Sequence, residues 1–127
     1  FNINLISNHR LIRSFDALLK NSLNPKAIFL TASVSYKSKP FWGAYSISKA
    51  ALNHMVKIWS LENKHNNLSI SIIDPGNTNT KLRKKAIPGE NIKNLQDPMI
   101  IGKIIANLSL SEKIYKGDII SLKDLEN

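Results

Sequence analysis

SVSYKSKPFWGAYSISK, residues 33–49, stands between two segments of different character. Before it runs Ala27-Ile28-Phe29-Leu30-Thr31-Ala32, which has the length and apolar content of a buried strand. It ends inside a helical pattern, and between the two lies a loop holding Ser35, Lys37, Ser38 and Pro40. The order is therefore strand, loop, helix, with Ser33 at the carboxyl end of the strand. In α/β sheets that is the end at which ligands bind.

Tyr45 and Lys49 are four residues apart, which on a helix puts them on one face about a turn from each other. A free phenol has a pKa of about 10, and each unit of lowering takes about 1.4 kcal/mol of preferential stabilisation of the phenolate. A lysine ammonium about 5 Å away, at an effective dielectric near 20, contributes on the order of 3 kcal/mol. Such a pair brings Tyr45 within reach of acid or base work near neutral pH, while the Ser33 hydroxyl holds the oxygen of a carbonyl or alcohol. In a lysine-rich chain with three tyrosines, Tyr-x-x-x-Lys arises by chance in roughly one sequence in three, so the spacing alone is a weak signal. The setting strengthens it. A strand ends in Ser33 twelve residues before Tyr45, Ala44, Ser46, Ser48, Ala50 and Ala51 keep the pair's surroundings small, and a second strand runs into Asp74-Pro75-Gly76.

On these residues the chain resembles the classical short-chain dehydrogenases/reductases. The resemblance is carried by Ala32-Ser33-Val34, by Tyr45-Ser46-Ile47-Ser48-Lys49-Ala50-Ala51-Leu52 and by Pro75-Gly76-Asn77-Thr78-Asn79-Thr80. It implies a substrate-orienting role for Ser33 and a general acid/base role for Tyr45. Lys49 would hold the nicotinamide ribose and lower the tyrosine pKa, and Asn4 would complete the tetrad by positioning a water in the proton relay. Pro75, Gly76, Thr78 and Thr80 fall in the region that meets the nicotinamide end of NAD or NADP. The chain departs from the family pattern in three places. Ser33 and Tyr45 are twelve apart where thirteen is usual, Ala32 replaces a common serine, and Tyr36 stands where glycine is typical. A Gly-rich dinucleotide fingerprint and an Asn-Asn-Ala-Gly segment are both missing, so residues 1–127 correspond to the second half of the family's domain. With Phe1 as the first residue, the expectation is the carboxyl-terminal part of a single dinucleotide-binding domain whose amino-terminal half lies outside this sequence, inactive as an isolated piece.

Composition narrows the function classes. The 127 residues are 43% hydrophobic, which predicts a globular domain with a real core. There is no cysteine, which rules out disulfides, thiol catalysis and Cys-based zinc sites. No apolar run approaches the length of a membrane span and no signal-peptide layout is present, so the expected setting is the cytoplasm. A net charge of +9 and a pI near 9.9 raise the question of nucleic acid. The charge is scattered lysine with only three arginines, and its densest run, Lys81-Leu82-Arg83-Lys84-Lys85, is not interleaved with aromatic residues. No DNA- or RNA-binding motif accompanies it, and the run reads as a solvated face rather than a nucleic-acid surface.

The remaining periodicities build the fold. From Asn4 to about Lys20, Leu5, Asn8, Leu11, Ile12, Phe15, Leu18 and Leu19 form one broad helical face, and Asn24-Pro25 follows as a stop. The helix at about 43–63 carries two stripes, Tyr45, Lys49, Leu52, Val56 and Trp59 on one side and Ala44, Ile47, Ala51, Met55 and Ile58 on the other. A helix apolar on two sides must be covered on two sides. The second cover is either a thick core of the same chain or, as the resemblance implies, a homo-oligomer formed through this helix and the one at about 4–20. Residues 68–73 read as a β-branched strand, 77–90 as a long binding loop, Asp97-Pro98 as a helix start, and 117–122 as a last strand. His9, His54 and His65 have no partners at metal-ligand spacing, so no metal site is expected. Helix, strand, helix, strand, helix, strand is the carboxyl-terminal half of a doubly wound parallel sheet of Rossmann type.

The expected function is an NAD- or NADP-dependent oxidoreductase that interconverts a small-molecule alcohol and a ketone or aldehyde. Two rivals stay open. Extended relatives that epimerise or dehydrate nucleotide sugars share Tyr-x-x-x-Lys, and a non-catalytic scaffold or regulatory protein could keep the fold without the chemistry.

Overall fold

The computed structural model describes residues 1–125, except for the side chain of Lys123. Three parallel strands form one sheet in the order β1 (Lys26–Leu30), β2 (Ser69–Asp74), β3 (Lys116–Ser121). Helix α1 (Ser7–Lys20), entered through a π turn at Asn2–Ile6, precedes β1, and α2 (Gly43–Glu62) links β1 to β2. A short helix α3 (Lys81–Ala86) and then α4 (Pro98–Leu110) lie between β2 and β3.

The register pairs Phe29 with Ile72 and Ile72 with Ile119, and these three side chains join the core of one face with Leu52, Val56 and Trp59 of α2 and Ile12 and Leu19 of α1. One residue further along, Ile73 and Ile120 are paired and point to the opposite face, where Leu108 and Ile104 of α4 cover them. Period-two alternation thus delivers a helix layer to each face, which is the doubly wound arrangement expected. All six residues of β2 are buried because it is central and covered on both sides. In β3 the three steps from Lys116 to Ile119 span the interval that the two steps from Ile70 to Ile72 cover in β2, and Gly117 in this bulge has φ +84°. A Cβ there would come within 2.9 Å of Ser60 Cβ on α2, so the bulge lets helix and sheet close up.

The expected order of helices and strands holds, with α1 starting at Ser7, β3 running one residue earlier than expected, and further adjustments. β1 stops at Leu30, although Thr31 N still donates to Ile73 O at 2.9 Å. The 77–90 loop contains α3, whose first turn is capped by Thr80 Oγ1 accepting from Arg83 N at 3.1 Å, and Ile92–Asn94 adds a 3₁₀ turn. The α1 face is divided: Leu5, Asn8, Ile12 and Leu19 are half-buried, whereas Leu11, Phe15 and Leu18 are exposed. On α2 the Leu52, Val56, Trp59 stripe is buried, and Ile47 and Ile58 of the other stripe are exposed. Asp97 caps α4 as expected, Oδ1 accepting from Met99 N at 2.9 Å.

Candidate active site

At the carboxyl ends of β1 and β2 a cavity of about 440 Å³ opens between α2 and α3. Ser33, Tyr45, Lys49, Pro75, Gly76, Thr78 and Thr80 all line it. Each is delivered by a different local cause. Beyond β1 the chain tightens into a 3₁₀ turn over Ser33–Ser35, closed by Ser35 N to Ala32 O at 2.9 Å and Lys37 N to Ser33 O at 2.8 Å. This turn is fastened to α2, because Ser46 Oγ donates to Val34 O at 2.6 Å and Asn53 Nδ2 donates to Ser35 Oγ at 2.8 Å. Ser33 is thereby held against the first turns of the helix that carries Tyr45 and Lys49. On the other side Gly76, at φ +68°, turns the chain out of β2 with its N–H donating to Asp74 Oδ1 at 3.0 Å.

Asn4 lies apart. It sits in the π turn and is not a lining residue; its Nδ2 donates to Ser48 Oγ at 3.1 Å, and Ser48 Oγ donates to Tyr45 O at 2.8 Å. Asn8 Nδ2 donates to the Asn4 carbonyl at 2.9 Å. In this structure Asn4 therefore reaches the Tyr45 turn through Ser48, holding the helix backbone and not touching the cavity.

The electrostatics also differ from the expectation for Tyr45. Burial, and secondarily the nearby Asp74 carboxylate, push its phenol above the ordinary value, where Lys49 was expected to lower it. Lys49 is itself pushed down by burial, and its Nζ donates to Leu30 O at 2.8 Å. The lysine in this conformation serves the end of β1.

Several site groups escaped the sequence reading. Tyr36 OH donates to Asp74 Oδ2, and burial together with that carboxylate lifts the Tyr36 phenol to about 12. Tyr36 thus spans from the Ser33 turn to the end of β2, a role that a glycine at this position lacks. Trp42 meets Tyr45 edge-on with ring centroids 5.8 Å apart, and the Arg83 guanidinium stands 6.0 Å from the Trp42 ring centroid. Arg83 Nε and Nη2 donate to the two carboxylate oxygens of Glu90 at 2.7 and 2.6 Å, lifting the arginine and holding the glutamate below its ordinary value. The Lys81–Lys85 run read as a solvated face, and its lysines are exposed; only Arg83 turns inward, where it pairs with Glu90. Among the described residues no His, Asp and Glu side chains cluster as metal ligands, and no helix is long and apolar enough to cross a membrane.

A strand-end serine, a Tyr-x-x-x-Lys helix and a Pro-Gly turn around one cavity can be compared with known proteins. The uncharacterized oxidoreductase YciK of Escherichia coli (strain K12) is 30% identical over 96 residues, which are 76% of this chain and 38% of that protein. Its solved structure matches with a TM-score of 0.83 at 28% identity, over 93% of this chain and 48% of that one. A chloroplastic NADPH-dependent aldehyde reductase-like protein of Arabidopsis thaliana is 38% identical over 64 residues, half of this chain and 24% of that protein. A short chain dehydrogenase structure from Shigella flexneri 2a, solved in complex with NADP, matches with a TM-score of 0.81 at 26% identity over 95% of this chain and 51% of that one. The chain thus spans about half the length of the solved relatives, and less of the curated ones. The short chain dehydrogenase family model matches residues 1–91, which take in the Ser33 turn, both residues of the Tyr-x-x-x-Lys pair and the Pro-Gly loop, and the chain belongs to that family.

Proposed function

We propose that this chain is the carboxyl-terminal part of a single dinucleotide-binding domain that reduces a ketone or aldehyde, or oxidises the corresponding alcohol, with NAD or NADP. The reading is carried by one observation: Ser33, Tyr45 and Lys49 line the same cavity as Thr78 and Thr80. The donor set suits the nicotinamide end of such a cofactor. Lys49 offers an ammonium, Thr78 and Thr80 offer hydroxyls, and a glycine at 76 leaves the backbone open to close approach, with no atom within 4 Å of where a Cβ would stand. Relatives bound to NADP or described as NADPH-dependent agree with that assignment without choosing between the two cofactors for this chain.

When bound, the nicotinamide supplies or accepts the hydride. The protein's own groups handle the oxygen. Ser33 Oγ donates a hydrogen bond to the substrate oxygen and fixes its direction. Tyr45 passes its phenolic proton to that oxygen as the carbonyl becomes an alcohol, or takes it back in oxidation. A phenol is protonated at neutral pH, the form needed for reduction, and burial raises Tyr45 further in that direction. Lys49, on the same cavity wall, holds the ribose. Asn4 acts through Ser48 on the turn that carries Tyr45. The exposed apolar residues Leu11, Phe15, Ile47 and Ile58 on α1 and α2 suit a homo-oligomer built on those helices.

The test is nicotinamide absorbance with the full-length protein and simple aldehydes. Tyr45→Phe should lower turnover by about 10²- to 10⁴-fold, the usual worth of a positioned acid or base. Cofactor affinity should stay within a few-fold, since only a hydroxyl is lost. Undiminished turnover in this variant would remove Tyr45 from the chemistry.

A further inference from the structure

Charged side chains reach the cavity wall at two points, Lys49 and Arg83, and no acidic residue lines it among the described residues. Both cations are engaged. Lys49 Nζ donates to Leu30 O at 2.8 Å, while Arg83 presents its Nε–Nη2 edge to Glu90 in two parallel bonds of 2.7 and 2.6 Å. The Arg83 and Glu90 side chains are only 16 and 21% exposed. Around them the wall is apolar, formed by Val34, Trp42, Leu82 and Ala86. Arg83 also leans on the Trp42 ring, which packs edge-on against Tyr45.

We propose that the Arg83–Glu90 pair is the specificity element of this cavity, and that it selects an uncharged carbonyl compound with an apolar or aromatic body over the same compound bearing a carboxylate. This rests on the reading of Tyr45 as the group that meets a carbonyl. A carboxylate entering the cavity must shed water and find a cation. The Nε–Nη2 edge of Arg83, one of the two with which a guanidinium grips a carboxylate, already holds Glu90, and the Glu90 charge offsets that of the arginine and repels a second anion. Selection of this kind works by disfavouring the wrong ligand. A neutral aromatic ring meets neither obstacle and gains contact with Trp42, Leu82 and Ala86.

Two probes of one shape test it, 4-methylbenzaldehyde and 4-formylbenzoate, titrated calorimetrically into the full-length protein with oxidised cofactor present so that no reduction occurs. The wild type should bind the neutral aldehyde about tenfold more tightly or better. Glu90→Gln keeps the side-chain shape but frees the guanidinium, and should shift the ratio at least tenfold toward the carboxylate. Arg83→Leu leaves Glu90 without its partner and should move the ratio the other way. Equal binding in the wild type, or an unchanged ratio in Glu90→Gln, overturns the proposal. Should reduced cofactor fail to turn over either aldehyde while the binding order holds, the dehydrogenase reading falls and the selection by Arg83 and Glu90 stands.

Discussion

The two walls of the cavity are held in different ways. The wall made by the Ser33 turn, α2 and the end of β2 is held by five side-chain bonds: Lys49 to Leu30, Ser46 to Val34, Asn53 to Ser35, Tyr36 to Asp74, Asp74 to Gly76. The facing wall is α3, six residues long, of which only Arg83 is not exposed. It is tied down by the Thr80 cap, the Arg83–Glu90 pair and the lean of Arg83 on Trp42. The wall that would move a proton is thus fastened to two strands and a helix, whereas the wall that would choose the substrate is one short helix fastened at a few points. Proton transfer tolerates little misplacement, and substrate choice can be altered without disturbing it.

The largest effect should come from the first wall's buried carboxylate. Asp74 is 5% exposed and accepts from both Tyr36 OH and Gly76 N, so it ties the Ser33 turn to the Pro-Gly turn. Asp74→Asn cannot serve both donors as well, and should cost about 2 kcal/mol in denaturant melts. It should also change the pH profile. With Tyr45 in its proposed role as the acid, the rate of carbonyl reduction should be level at neutral pH and fall as pH rises through the Tyr45 pKa, which burial and Asp74 hold above the phenol value of about 10. Removing the Asp74 charge removes one of those two causes, and the fall should move to lower pH. An unshifted profile would mean that Asp74 is only a tether.

A smaller effect is expected at Ser35, whose Oγ lies 3.2 Å from Thr31 Oγ1 and accepts from Asn53 Nδ2. Asn53 is buried and its Oδ1 already has no partner, so Ser35→Ala would orphan its donor as well. The expected loss is about 1–2 kcal/mol by thermal or urea unfolding. Activity should fall with it, because the Ser33 turn loses a fastening to α2. Full activity at reduced stability would separate the turn's shape from its bonds.

How much of this could be read from the residues divides along the same line. The first wall was legible because its parts announce themselves locally: β-branched runs, Tyr45 and Lys49 four apart in a helical pattern at about 43–63, a Pro-Gly turn. The succession of helices and strands along the chain and the cap at Asp97 follow from period and punctuation. α3 was not legible, since Lys81-Leu82-Arg83-Lys84-Lys85 carries one apolar residue and no amphipathic stripe; what makes it a helix is the Thr80 cap. The pairing of Arg83 with Glu90 crosses a Pro-Gly turn at 88–89, and a spacing of seven without continuous helix between gives no signal. Tyr36 was seen only as a departure from the family pattern. Its bond to Asp74, thirty-eight residues on, depends on β1 and β2 being neighbours in the sheet. The shift of Tyr45 was missed in direction because spacing places Lys49 beside it but is silent on burial and on which acceptor the ammonium finds.

The finest distinction between the walls should be visible in amide hydrogen exchange. Ile70 N donates to Tyr115 O at 2.9 Å inside a strand buried along its whole length, and its proton can leave only when the sheet opens. Lys84 N donates to Thr80 O at 3.1 Å and Ile87 N, just past the helix end, to Arg83 O at 2.9 Å, so both close turns of a helix of six residues that has little packing to lose. Isolated helices of that length are unstable in water, so α3 should open by itself far more often than the domain unfolds. Lys84 and Ile87 should therefore exchange at least about a hundredfold faster than Ile70. Glu90→Gln weakens one of the fastenings without touching the sheet, and should speed Lys84 and Ile87 by a few-fold while leaving Ile70 unchanged. Exchange of all three in step would show that α3 belongs to the same cooperative unit as β2. The two walls would then be equally rigid, and a substitution at Glu90 would be felt at Tyr45 as strongly as at the substrate.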